Sequence, residues 1–232
     1  MDQKVDTKSL IIKQAAKLFA RGDYTGTSIH DIAHAVGISK PALYHHFSDK
    51  EEIYFEIVNP VLRDMCENAE AVGANGKPAA EQLRDFMLVH VRYVEQNNAA
   101  CAASQVAFRS LTEPAKRESA LQWRDRHEAV LRRILERGVS DGTLQIAEVN
   151  AAARMILTIL NGFTLWYRPA GPMRAEAFAD MYFNLLMQGL QPRQAVAEQP
   201  APAAAGAAKA AAGEAPAPRQ RGTGGRRGAK GL

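Results

Sequence analysis

The stretch Thr27–Lys50, TSIHDIAHAVGISKPALYHHFSDK, decides how this chain is read. Ile29, Ile32, Ala33 and Val36 recur at i, i+3, i+4 and i+7, the stripe of an amphipathic helix. Thr27 or Ser28 precedes that stripe with an oxygen able to cap the first free backbone N–H groups, and Gly37 offers the left-handed conformation that ends it. Ser39 is the next cap, and Pro41 falls in the following first turn, where its missing N–H costs nothing. Leu43 and Phe47 stand one turn apart and pin the short second helix to the first, leaving Lys40, Ala42, Tyr44, His45 and His46 for its other faces. Two short helices crossing at a glycine turn, the second starting on small residues, suit entry into the major groove of double-stranded DNA. The candidate DNA-contacting residues are Thr27, Ser28, Ser39, Lys40, Pro41, Ala42, Tyr44, His45 and Lys50. Thr27 and Tyr44 are expected at phosphate, Lys40 and Ala42 at the groove surface, and Lys50 at a helix start near the DNA backbone.

The string from Ala35 to Lys50, A-V-G-I-S-K-x-x-L-Y-x-H-F-x-x-K, resembles the TetR family of bacterial one-component regulators. The resemblance spans roughly Ser9 to Ile57, with cap, turn, second helix and Lys50 all at family spacing. One departure stands out: the family usually carries Gly where this chain has Asp23, and Gly22 comes one place early. The resemblance implies a regulator, repressor by default, that binds a palindromic operator as a dimer and is released by a small effector.

The chain has 232 residues, 47% of them hydrophobic, enough to bury one sizeable core. Its N-terminus, MDQKVDTKSL, is charged and lacks the apolar core of a signal peptide. The longest charge-free apolar stretch, Met155–Tyr167, is too short for a membrane span and contains Asn161. Cys66 and Cys101 have neither metal-ligand nor disulfide-framework spacing, so they read as reduced thiols of a cytoplasmic protein without a membrane partner. The formal net charge is +4, but seven basic and two acidic residues from Gln191 onward give the tail +5, which leaves residues 1–190 at −1. Basicity is therefore a property of the tail.

No segment alternates with period two, and the expected fold class is all-α. A first helix from about Ser9 to Arg21 turns Ile12, Ala15, Ala16 and Phe19 inward and completes a three-helix unit. A fourth, opened by Lys50 and reaching about Val72, contains Pro60, which should kink it. Further helices are expected from about Pro78 to Asn97, Ala99 to Ser110, and Pro114 to a stop at Gly138. The next, from about Glu148 to Tyr167, is apolar nearly all round and so has to be buried on several sides, as a subunit interface would provide. With the last helix, about Arg174 to Leu190, it is expected to form a four-helix homodimer contact (residues 148–168 and 174–190), in agreement with the family pattern. Three parts follow: a helix-turn-helix DNA-binding domain (1–50), a helical ligand-binding and dimerisation domain (51–190), and a disordered basic Ala/Pro/Gly-rich tail (191–232).

Candidate effector contacts are Phe86, His90, Phe108, Arg109, Trp123, Phe163, Trp166, Tyr167 and Arg168, because pockets are mostly apolar with a few placed polar groups. The run Trp166–Pro172, W-Y-R-P-A-G-P, resembles a TetR subgroup that controls lipid or steroid breakdown and senses acyl-CoA thioesters. It is equally readable as a structural corner between the last two helices. In the acyl-CoA reading the chain lies in an apolar tunnel and arginines meet the phosphates. His30–His34 superficially matches a metal-binding H-E-x-x-H helix, but Asp31 replaces the catalytic Glu and no third ligand follows. Neither a metal, a cofactor nor an enzymatic constellation is expected. The competing class is an architectural DNA-binding protein that uses the basic tail, RQRGTGGRRGAK at 219–230, to hold phosphates without sequence preference.

Overall fold

The computed structural model describes residues 6–22, 24–106, 110–168 and 170–190, so Asp23 and the tail lie outside the described residues. Every regular element among them is helical: α1 (Thr7–Arg21), α2 (Ile29–Val36), α3 (Lys40–Tyr44), α4 (Lys50–Gly73), α5 (Ala79–Gln96), α6 (Asn98–Val106), α7 (Pro114–Ser140), α8 (Val149–Trp166) and α9 (Ala175–Leu190).

Two hydrophobic clusters organise these helices. In the first, Ile11, Ala15 and Phe19 of α1 meet Ile32 and Ala33 of α2, Leu43 of α3 and Phe47 just beyond it. Ile53, Tyr54, Ile57 and Val58 from the first half of α4 complete this cluster, together with Ala103, Leu111 and Ala120. The second cluster takes over along α4 at Val61, Ala69 and Val72 and continues through α5, α7, α8 and the start of α9. One helix thus belongs to both cores.

Several local details differ from the sequence reading. α1 begins at Thr7 rather than near Ser9, and Lys8 in its first turn pairs with Glu56 of α4 at 3.4 Å. α4, in keeping with that reading, continues through Pro60 as one 24-residue helix. Gly138 does not stop α7; the helix continues to Ser140. Its glycine answers to packing instead, since a Cβ there would lie 2.5 Å from Leu144 Cδ1. The turn that does end α7 uses Gly142 at φ 75° and Asp141, whose carboxylate accepts from the Thr143 backbone N–H at 3.0 Å. On α8 the buried face is Ala153, Ile156, Leu160 and Phe163, while Met155, Ile159, Leu165 and Trp166 stay exposed. Several large apolar side chains of the helix are therefore left uncovered by the described residues.

Candidate nucleic-acid interface and effector cavity

The α2–turn–α3 unit is built by local hydrogen bonds that the sequence announces. Ser28 and Asp31 form a reciprocal capping box: the Asp31 N–H donates to Ser28 Oγ at 3.2 Å, and the Ser28 N–H donates to Asp31 Oδ2 at 2.8 Å. The Ser28 hydroxyl, which donates to the same Asp31 oxygen at 2.7 Å, and the Ser28 N–H hold the Asp31 carboxyl below its ordinary range. Gly37 adopts φ 78°, which lets the Ile38 N–H reach back to the Ala33 carbonyl at 3.0 Å. Ser39 Oγ then accepts from the Ala42 N–H at 3.3 Å and starts α3.

α3 is anchored by Leu43, fully buried, and by Phe47, 1% exposed. Its outer surface carries Lys40, Pro41, Tyr44 and His45, all exposed, with Ala42 half-buried between them. The Lys40 ammonium lies 5.8 Å from the Tyr44 ring centroid, so the charge and the phenol present themselves together. Ser28 and Ser39 are exposed at the two helix starts.

Thr27 and Lys50 are, like Ala42, less exposed than the other candidate DNA contacts. Thr27 is only 7% exposed. Lys50 is half-buried; its ammonium donates to the carbonyls of Tyr24 (2.8 Å) and Thr27 (3.0 Å) and sits 4.3 Å from the Tyr24 ring centroid. The lysine therefore braces the loop before α2 against the start of α4. The physical reason is that the loop's carbonyls, left over between two helices, need a donor, and an ammonium supplies three.

In the second cluster a cavity of about 600 Å³ opens among five helices. Leu62 and Met65 come from α4, His90 and Val94 from α5, and Cys101, Ser104 and Gln105 from α6. α7 contributes Arg124, His127 and Glu128, and α8 contributes Arg154, Leu157, Thr158, Asn161, Gly162 and Leu165. Its chemistry is graded. Arg124 and Arg154 are more than half exposed, and Arg154 pairs with Glu128 at 3.5 Å. By contrast His90 is 3% exposed, with its ring 5.8 Å from that of His127. Burial, together with the neighbouring His127 in the case of His90, lowers the imidazole pKa of His90 to about 3; burial alone lowers that of His127 to about 4. Both rings are neutral at neutral pH. Cys101 is buried as well, and desolvation raises its thiol to about 12, so it is an unreactive part of the wall.

Of the candidate effector contacts, His90 lines this cavity and Phe86 backs it, 5.0 Å from the His127 ring. Trp123 instead lies under the Arg126 guanidinium at 4.7 Å, where Arg126 also grips Glu70 of α4 at 2.8 and 3.1 Å. Phe163 and Tyr167 stack at 4.2 Å, Phe163 stacks on Phe178 at 4.7 Å, and Trp166 meets Phe178 edge-on at 5.0 Å. This aromatic column joins α8 to α9, and the Tyr167 hydroxyl donates to Glu95 of α5. Arg168 is exposed and donates to the carbonyl of its neighbour Tyr167 at 3.1 Å. The carbonyl of Arg168 accepts from Gly171, where a Cβ would come within 2.9 Å of that oxygen. Of Trp166, Tyr167 and Arg168, Tyr167 is buried and the other two are exposed, and none of the three lines the cavity. Phe108 and Arg109 lie outside the described residues.

His127, Arg124, Arg154, Ser104 and Gln105 escaped the sequence reading. One signal was available: Ala120, His127, Val130, Leu131 and Ile134 share a helical stripe, so His127 occupies an inward position in a charge-rich helix. Among the described residues no three or more His, Cys, Asp or Glu come together in a metal-binding group. His30 and His34 stack at 6.5 Å on the exposed side of α2. No helix among the described residues is long and apolar enough to cross a membrane.

A helix-turn-helix unit fused through a shared helix to a cavity-bearing helical body defines a one-component transcriptional regulator. Residues 11–57 match the model of bacterial regulatory proteins of the tetR family, and residues 76–190 match the tetracyclin repressor-like C-terminal domain. The structure of the TetR family regulator PfmR from Thermus thermophilus is 42% identical, with a TM-score of 0.71, over 78% of this chain and 99% of that one. The transcriptional repressor KstR2 of Rhodococcus jostii is 26% identical over 81% of this chain and 92% of its own length. The fold is also shared with a solved structure of AibR in complex with isovaleryl coenzyme A and operator DNA, at 21% identity and a TM-score of 0.66. This chain belongs to the TetR family. Its relatives are transcriptional repressors, and TetR regulators bind operator DNA and are not enzymes.

Proposed function

We propose that this regulator is a dimeric repressor whose hold on a palindromic operator is released by an acyl-CoA thioester seated in the cavity among α4–α8. The observation that carries the reading is the double membership of α4. Tyr54 and Val58 belong to the core that holds α3, whereas Leu62 and Met65, one to three turns on, line the cavity. A ligand pressing on Leu62 and Met65 displaces the same rigid rod that positions α3. Two-fold DNA readers need their recognition helices about 34 Å apart or a multiple of it, so a shift of a few ångströms removes one half-site from its groove. The effector must bind the released state more tightly, and its differential affinity sets the size of the response.

Dimerisation is supported by an unpartnered apolar face: Met155 (65% exposed), Leu165 (74%), Trp166 (51%) and Leu185 (58%) lie on α8 and α9. The thioester class is supported by the apolar walls Leu62, Met65, Val94 and Leu157 beside the exposed arginines Arg124 and Arg154, which suit an acyl chain and phosphates in turn. The AibR complex, a family fold carrying isovaleryl coenzyme A and operator DNA, points the same way. In this reading 1–50 reads DNA, 51–190 senses and dimerises, and the tail from 191 adds non-specific phosphate affinity.

The test is fluorescence anisotropy of the purified protein on the DNA upstream of its own gene, repeated with acyl-CoA thioesters and their free acids. Release by a thioester but not by its acid is expected. Specific binding that no thioester disturbs would refute the effector class. Equal binding to a scrambled duplex, lost on deletion of 191–232, would favour the architectural class instead.

A further inference from the structure

The His90 and His127 rings lie together on the wall of the cavity. Both ring nitrogens of His90 are buried and, among the described residues, have no hydrogen-bond partner. His127 shares this situation in part: its ring packs between Phe86 (5.0 Å) and His90 (5.8 Å), and it lines the cavity beside His90. Buried polar groups are nearly always bonded, and the unbonded His90 ring on the wall of a cavity marks a place where a partner is missing. A smaller void bounded by Met65, Asn68, Val89 and Tyr93 also touches the same two residues. The Tyr93 hydroxyl is already committed to Asp64 at 3.1 Å and offers no relief.

We infer that the effector's buried end carries an uncharged oxygen group, a hydroxyl or a carbonyl, which His90 and His127 bind together. The inference rests on the acyl-CoA reading and specifies which acyl chains the cavity prefers. A neutral imidazole has one N–H donor and one lone-pair acceptor, so two of them offer a donor and an acceptor at neighbouring positions. A hydroxyl uses both, and a carbonyl oxygen uses the donor. A carboxylate end could still accept an N–H bond, but it would bury a negative charge beside two rings that burial keeps neutral, so that neither supplies a cation to offset it. The described carboxylate on the cavity wall, Glu128, is taken up by Arg154. A plain hydrocarbon end would leave His90 as unsatisfied as it is now. Orientation follows from exposure: the cationic residues Arg124 and Arg154 lie at the solvent side, so coenzyme A phosphates stay outside and the distal acyl end points to the histidines.

The experiment compares operator release by acyl-CoAs of six, eight and ten carbons with their ω-hydroxy, ω-oxo and ω-carboxy counterparts, for the full-length protein. An uncharged terminal oxygen is expected to lower the half-releasing concentration roughly tenfold against the plain chain of equal length, the worth of one neutral hydrogen bond. That preference should vanish in His90→Leu and survive in His90→Gln, which keeps a donor and an acceptor. Should His90→Leu fail to bind operator in the unliganded state, His127→Leu and His127→Gln supply the same comparison from the less buried ring. Equal or better release by the plain chains overturns the inference while leaving the acyl-CoA reading intact. Strongest release by the ω-carboxy chains overturns it in favour of a charged end. Failure of every thioester removes the acyl-CoA reading, and this inference with it.

Discussion

The Tyr54 hydroxyl donates to the carbonyl of Ala103 at 3.2 Å, tying the helix that leaves the DNA-reading core to the helix that walls the cavity. The next carbonyl, that of Ser104, lies at 3.4 Å, and Ser104 itself lines the cavity. On its other side the Tyr54 ring meets Phe19 at 5.9 Å and Tyr24 at 5.0 Å. Tyr54→Phe keeps the ring and removes the tie. Chemical denaturation should show a loss of about 1 kcal/mol, the usual net value of one neutral hydrogen bond. The informative measurement is the ratio of operator affinities with and without effector, which should shrink. An unchanged ratio would mean that signal reaches α3 without this bond.

Lys50 offers a separation of fold from DNA contact. Because its ammonium is held by the Tyr24 and Thr27 carbonyls, Lys50→Met should cost about 1–2 kcal/mol of stability, a charged hydrogen-bonded group discounted for its partial exposure. The slope of log affinity against log salt should stay as it is. If Lys50 met a phosphate instead, that slope would drop by about one unit.

The opposite pattern is expected on α3. Lys40→Ala and Tyr44→Ala change exposed positions, so the thermal midpoint should hardly move, within about 0.5 kcal/mol in stability. Operator affinity should fall for both. Testing each variant on single-base operator changes separates a base contact, about 1–3 kcal/mol at one position, from a phosphate contact that weakens all sequences alike.

Met155→Glu and Leu185→Glu place charge on the bare faces of α8 and α9, where the wild-type side chains are 65% and 58% exposed within one chain. Sedimentation should show monomers that retain full helicity, and operator affinity should drop because the two half-sites are no longer read together. A dimer that survives both substitutions would place the contact elsewhere.

Acidification should weaken the protein through His90 and His127. Their folded pKa values, about 3 and about 4, lie below the ordinary value of 6.5, so the unfolded chain binds more protons between those limits. Stability is complete above pH 6.5 and falls as pH drops from there, by up to about 1.4 kcal/mol per pH unit for each ring. The charged groups that share the cavity wall with the rings are Arg124, Glu128 and Arg154. Urea denaturation at about pH 7 and about pH 5.5, on either side of the ordinary imidazole value, checks this pH dependence, and His90→Leu should flatten the difference.

What the sequence made legible follows from the range of each interaction. The α2–α3 unit could be read because Ser28, Gly37, Ser39 and Leu43 act within four residues of their partners. The shared class of all helices was equally plain from their periodicity. The cavity was not, since its wall is assembled from five helices and no spacing along the chain records which faces converge. Phe163 and Tyr167 were candidates for ligand contact because an aromatic at helical spacing looks the same whether it faces a void or, as here, another ring. His127 was hidden among Arg124, Asp125, Arg126 and Glu128, a run that reads as a solvated face. Lys50 carried the family spacing, yet its partners, the carbonyls of Tyr24 and Thr27, are backbone atoms that no residue pattern displays.

The five residues of α3 owe their position to Leu43 and Phe47, while Lys40, Pro41, Tyr44 and His45 support nothing behind them. Few substitutions could therefore give the protein a new operator without altering the core, the cavity or the route between them. If the proposed effector site is right, two copies arising by gene duplication could diverge in address while still answering to the same ligand, and changes around His90 would retune the ligand and leave the address alone.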